Sequence, residues 1–136
     1  VPVHLLFVCI ENSCRSQMAE AFAKILGGHR VSAQSAGSQP SGAVHPKAIE
    51  AMRQVGYDLT THRSKSLDDI PVLEYDAVVT MGCGDACPFV RARFREDWKI
   101  PDPKNLKQTE FNAIRDMIRR NVSDLLLRLP TFPSSP

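Results

Sequence analysis

Apolar positions along this chain fall into short continuous runs that alternate with stretches spaced by three and four. Val3 to Val8 is a run of Val, Leu and Phe broken only by His4. It has no helical period and too few residues for a helix, so it predicts a buried strand. From Arg15 to Leu26 the set Met18, Ala21, Phe22, Ile25 and Leu26 predicts an amphipathic helix stopped by Gly27 and Gly28. Arg30 to Ala36 reads as a second strand, with turn material over 37–42. Pro46 opens a second helix, at the position where a missing N–H is harmless, and Ala48, Ile49, Met52 and Val55 carry it to Gly56. Tyr75 to Met81 predicts a central strand, followed by a loop that contains Gly82, Cys83, Gly84 and Cys87. Trp98 to Ile100 predicts a short further strand. Phe111, Ile114, Met117, Ile118, Leu125, Leu126 and Leu129 mark one long helix from Gln108 to Leu129.

Strands alternating with helices predict an α/β fold, a single doubly wound domain over residues 1–129 with a mostly parallel sheet. A Pro/Ser tail over 130–136 is expected to be disordered. In such a sheet, ligands bind beyond the carboxyl ends of the strands, where helix N-termini point.

Composition narrows the function. At 136 residues the chain can bury a core without disulfide or metal staples. Charged residues make up 24% and the net charge is +2, too weak a balance for a nucleic-acid surface. No apolar run approaches the roughly 18 residues of a membrane span. The run from Val3 to Ile10 lacks the basic lead-in and small-residue cleavage site of a signal peptide, so a cytoplasmic location is expected. In that compartment four cysteines are reactive or metal-binding rather than a structural framework.

Their spacing points to one segment. Cys9-Ile10-Glu11-Asn12-Ser13-Cys14-Arg15-Ser16 lies between the first strand and the first helix. A loop of that length can wrap so that the amides of Ile10 to Ser16 point inward, while the helix behind it adds the positive end of its dipole. Such a cup suits a tetrahedral oxyanion, and Arg15 can clamp two of its oxygens. Helix N-termini and cationic neighbours favour a thiolate, so Cys9 is expected to be the nucleophile. Ser16 can donate a hydrogen bond to it, and Asn12 tolerates the left-handed backbone such a loop needs. A buried strand-end thiol and a surface arginine would give the same bare C-x5-R. The flanking strand and helix, with Asn and Ser in place, favour the oxyanion loop. Cys14 is either a packing residue or a spare thiol that protects Cys9 through a reversible disulfide.

The chain resembles the low-molecular-weight phosphatase superfamily and, within it, the thioredoxin-type arsenate reductases. The likeness rests on Val8 to Arg15, the helix opening Arg15-Ser16-Gln17-Met18-Ala19-Glu20-Ala21, the Ser35-Ala36-Gly37 turn, the His45-Pro46 helix start and the Asp102-Pro103 loop, in that order. It implies a four-stranded parallel sheet flanked by helices. It also implies that Cys9 attacks arsenate, that Arg15 and the loop amides hold its oxygens, and that Asp102 protonates the leaving oxygen. On its residues alone, an Asp before Pro is a turn former as readily as a general acid. Phosphatases of this fold usually carry an aromatic after Asp-Pro, where Lys104 stands here.

A reductase, unlike a phosphatase, must dispose of two electrons. Within that resemblance, Cys83 is placed to attack the Cys9 sulfur that carries arsenic, and Cys87 to attack Cys83 in turn. Four residues extend about 13–14 Å whereas a disulfide needs its Cα atoms within about 7 Å, so the segment must coil. Thioredoxin is the expected electron donor, with glutaredoxin or a low-molecular-weight thiol behind it. A zinc site would compete for the cysteines, but C-x3-C is an imperfect spacing and the loop claims Cys9 and Cys14, so no metal is expected. Some arsenate reductases bind potassium through an Asn, a Glu, a Ser and an Asp. Asn12, Glu20 and Ser35 match the first three and Lys65 falls at the fourth, so a potassium site is not expected. The four histidines read as structural or solvated.

Overall fold

The computed structural model describes residues 2–82 and 90–129. Among them run β1 (Val3–Cys9), α1 (Arg15–Gly27), β2 (Val31–Gly37), α2 (Pro46–Arg53), β3 (Tyr75–Thr80), β4 (Ala92–Asp97) and α3 (Gln108–Arg128). The four strands form one parallel sheet in the order β2-β1-β3-β4. Cys83, Cys87 and the tail over 130–136 lie outside the described residues.

Alternation along β1 sends its side chains to two faces, as a strand's period of two requires. Leu5, Phe7 and Cys9 join Met18 and Phe22 of α1, Ala48 and Met52 of α2, and Phe111, Ile118 and Leu125 of α3 in one buried cluster. Leu6 and Val8 turn the other way, into a smaller cluster with Ala36, Ile70, Tyr75 and Val78. All three helices thus pack into the first cluster. Ile70 and the partly buried Leu67 and Leu73, in and after a short 3-10 turn at Leu67–Asp69, serve the second.

The predicted strand at Trp98 to Ile100 is corrected: the fourth strand is Ala92–Asp97. Among the described residues it pairs on one side only, with β3, and its Arg93, Phe94 and Arg95 are exposed. An edge strand of this kind has no apolar run for sequence reading to find. Trp98 still donates its N–H to Thr80 O at 2.8 Å, after which Trp98 and Ile100 turn into the core as buried caps.

The order β2-β1-β3 places β1 between strands reached by crossovers in opposite directions. The carboxyl end of β1 is therefore the switch point at which an open α/β sheet leaves a crevice. Cys9 is the last residue of β1, and α1 begins six residues later.

Candidate active site

The loop from Cys9 to Arg15 is shaped by where its carbonyls go. Cys9 O, Ile10 O, Glu11 O and Ser13 O accept the N–H groups of Ser38, Gln39, Ser41 and His45, at 2.8–3.3 Å. Asn12 O accepts from the Gln17 side chain at 3.1 Å, and Cys14 O from Met18 N at 3.0 Å. Each of these carbonyls is held by the surrounding chain. In a planar trans peptide the N–H points opposite the C=O, so the amides from Ile10 to Arg15 turn away from those partners. Asn12 takes the left-handed backbone the loop needs, with φ 51°. The turn also depends on Gly37, where a Cβ would come within 2.5 Å of Ile10 O.

A cleft of about 140 Å³ opens on the inner side of this loop, lined by Cys9, Ile10, Glu11, Ser13, Cys14, Arg15, Asp102 and Lys104. Asn12 and Ser16 lie beneath it, both fully buried. α1 starts with no side-chain cap and no acidic residue in its first turn, so no residue of the helix itself offsets the positive end it turns to the cleft. Arg15 is 7% exposed; its Nη1 donates to Ile100 O at 3.0 Å and its Nη2 lies 3.8 Å from Asp102 Oδ2. Asp102 Oδ1 accepts the Lys104 N–H at 3.1 Å, which ties the carboxylate to its own turn.

Behind the cleft, hydrogen bonds run from Cys9 into the protein and their direction can be assigned. Asn12 Oδ1 accepts the Lys65 backbone N–H at 2.7 Å, which leaves Asn12 Nδ2 to donate to Ser16 Oγ at 2.8 Å. The Ser16 hydroxyl proton is then free for Cys9 Sγ, also at 2.8 Å. Gln17 Nε2 donates to Asn12 Oδ1 at 2.8 Å, and Gln17 Oε1 accepts from His62 Nδ1 at 2.9 Å. The other ring nitrogen of His62 is 2.6 Å from Tyr57 Oη, an arrangement that fits a neutral imidazole. Burial pushes the His62 pKa down against the pull of Glu20.

Glu20 is buried. Burial opposes its charge, but hydrogen bonds from Lys24 and Ser35 and the nearby His62 and Lys65 hold its carboxyl below the usual range. Lys65 Nζ stands 3.7 Å from Glu20 Oε1. Cys14 differs from Cys9 in its surroundings: burial, only partly offset by a hydrogen bond from Ser13, pushes its thiol up to about 12, so it stays protonated at neutral pH.

The structure therefore brings Cys9, Ile10, Glu11, Ser13, Cys14, Arg15 and Asp102 around one cleft and puts Asn12 and Ser16 under it. Sequence reading missed Gln17, His62 and Tyr57 as the support of Asn12. The one local signal was a Gln and a Glu three residues apart on a helix whose neighbouring positions are apolar. No group of three or more His, Cys, Asp or Glu placed to hold a metal occurs among the described residues.

Comparison with known proteins bears on this cleft. Residues 4–131 match the family model "Low molecular weight phosphotyrosine protein phosphatase". A glutaredoxin arsenate reductase of Synechocystis is 37% identical over 128 residues, covering 92% of this chain and 97% of that protein. A solved arsenate reductase in a phosphate-binding state superposes with a TM-score of 0.85 at 36% identity, covering 94% of this chain and 99% of that one. A thioredoxin-dependent arsenate reductase of Corynebacterium glutamicum superposes with a TM-score of 0.76 at 30% identity, covering 94% of this chain and 62% of that one.

Proposed function

This chain belongs to the low molecular weight phosphotyrosine protein phosphatase family, and we propose that it uses the oxyanion cleft of that fold to reduce arsenate to arsenite. The observation that carries this reading is Cys9 Sγ held by Ser16 Oγ at the foot of a cleft whose wall carries Arg15. The names of its relatives supply the substrate class.

Arsenate enters with its oxygens on the loop amides and the free donors of Arg15. Cys9 sulfur attacks arsenic(V) as the thiolate, steadied by Ser16, and Asp102 delivers the proton with which one oxygen leaves as water. The product is a thioester of arsenic(V) on Cys9. Cys83 as thiolate then attacks the Cys9 sulfur. The S–As bond breaks, its electron pair stays with arsenic, arsenite departs, and a Cys9–Cys83 disulfide remains. Attack of Cys87 on Cys83 frees Cys9 and leaves a Cys83–Cys87 disulfide for an external dithiol to reduce. Thioredoxin suits an intramolecular disulfide of this kind. Relatives named for glutaredoxin and for thioredoxin supply the two donors to compare.

Hydrolysis of aryl phosphates by Cys9, Arg15 and Asp102 is the alternative, and is expected as a weak side activity. The Lys65 ammonium, 3.7 Å from the Glu20 carboxylate, supports the reading that turnover needs no potassium ion. One assay tests these points: NADPH loss in the presence of arsenate, thioredoxin and its reductase, with a glutaredoxin system in parallel. Wild-type protein consumes NADPH equally in potassium and sodium salts of the same ionic strength. Cys83→Ser loses that activity but keeps its aryl phosphate hydrolysis. Retention of arsenate-dependent consumption by Cys83→Ser would refute the relay.

A further inference from the structure

Two ion pairs join residues that line the cleft. The inner one joins the buried Arg15, whose side chain is 9% exposed, to the half-exposed Asp102, at 42%, with Nη2 3.8 Å from Oδ2. The outer one joins Glu11 of the loop to Lys104, Nζ to Oε2 at 2.7 Å, with side chains 38% and 40% exposed. All four residues line the same cleft, Glu11 and Arg15 from the loop and the start of α1, Asp102 and Lys104 from the segment between β4 and α3. Glu11 raises the affinity of Lys104 for its proton, which favours the charged lysine in this pair.

From this geometry we propose that the Glu11–Lys104 pair is a rim that admits a free tetrahedral oxyanion and disfavours its esters, making Lys104 a specificity-determining residue. The proposal deepens the reading of the cleft as an oxyanion site and rests on it. The oxygen that leaves must face Asp102 to receive its proton. In arsenate or phosphate nothing lies beyond that oxygen. In an aryl ester the ring begins there and must leave the cleft past Asp102, where the four-carbon stem of Lys104 and the Glu11 carboxylate stand. The inorganic ion is bound with the rim closed, whereas an ester must first open it. Because Lys104 N also holds Asp102, the same turn positions the acid and narrows its approach. The rim charge attracts both kinds of anion alike, so its effect on affinity in general cancels when the two are compared.

The test is the ratio of dissociation constants for phenyl phosphate and inorganic phosphate, measured by calorimetry in a Cys9→Ser background where neither ligand can react. Lys104→Met is expected to lower that ratio about three-fold, the scale on which an exposed ion pair acts. Adding the charge swap instead, Glu11→Lys with Lys104→Glu, is expected to return it toward the starting value. An unchanged ratio in Lys104→Met overturns the proposal, and so does a shifted ratio that the swap fails to restore, since the lysine alone would then be responsible. Absence of phosphate binding overturns both the rim and the oxyanion reading beneath it. A ratio that moves as stated in a protein unable to make arsenite leaves the rim standing and removes only the reductase.

Discussion

Gly82 has φ 82°, and a Cβ there would lie 2.4 Å from Arg15 Nη1. A side chain at this position strains the backbone and displaces the tip of the Arg15 guanidinium from its place between Ile100 O and Asp102. Gly82→Ala is expected to weaken phosphate binding about ten-fold, the range of one charge-assisted hydrogen bond. Equal affinity by calorimetry would show that Arg15 does not depend on that contact. At this scale the sequence was readable wherever the chemistry is local. Cys9, Asn12, Arg15 and Ser16 fall within eight positions, and the fold gathers them at one cleft as that spacing suggests. Gln17 and His62 are 45 positions apart, and Glu11 and Lys104 are 93 apart. Nothing in a pattern of neighbours indicates that such side chains meet, and only the fold brings them together.

Elements were legible in proportion to how much apolar surface they bury. β1 and β3 are covered on both faces and read as apolar runs. β4 lies at the sheet edge with four charged residues among its six, Arg93, Arg95, Glu96 and Asp97, and its signal was lost to the two buried residues that follow it. α3 shows the helical case clearly: Phe111, Ile114, Ile118, Val122 and Leu125 form its buried stripe, whereas Leu127 is 84% exposed despite equal hydrophobicity. Phe111→Ala is therefore expected to cost about 3–5 kcal/mol in urea unfolding. Leu127→Ala should stay within about 0.5 kcal/mol of wild type. Comparable losses for the two would mean that α3 presents a different face to the sheet.

Across the whole molecule the site is supported by a buried polar layer joining β1, α1, β2 and the segment around His62. That layer makes stability depend on pH. The pKa of His62 in the folded chain is depressed, with Glu20, Lys24 and Lys65 as the charges facing it. Its contribution is therefore complete above the unfolded value of about 6.5 and is lost as pH falls below it. The depressed Glu20 acts with the same sign, but in the carboxylate range of about 4. Between pH 7.5 and 5.5 the melting temperature of wild type should fall more than that of His62→Gln, which keeps a donor for Gln17. Parallel curves would remove His62 from the account.

The most direct test mixes fully reduced protein with excess arsenate and no electron donor, then counts arsenite and thiols together. The relay predicts about one arsenite per chain, loss of two of the four thiols, and a disulfide mapped to Cys83 and Cys87. Arsenite released with all four thiols intact, or no arsenite from a protein that binds phosphate in this cleft, would contradict it.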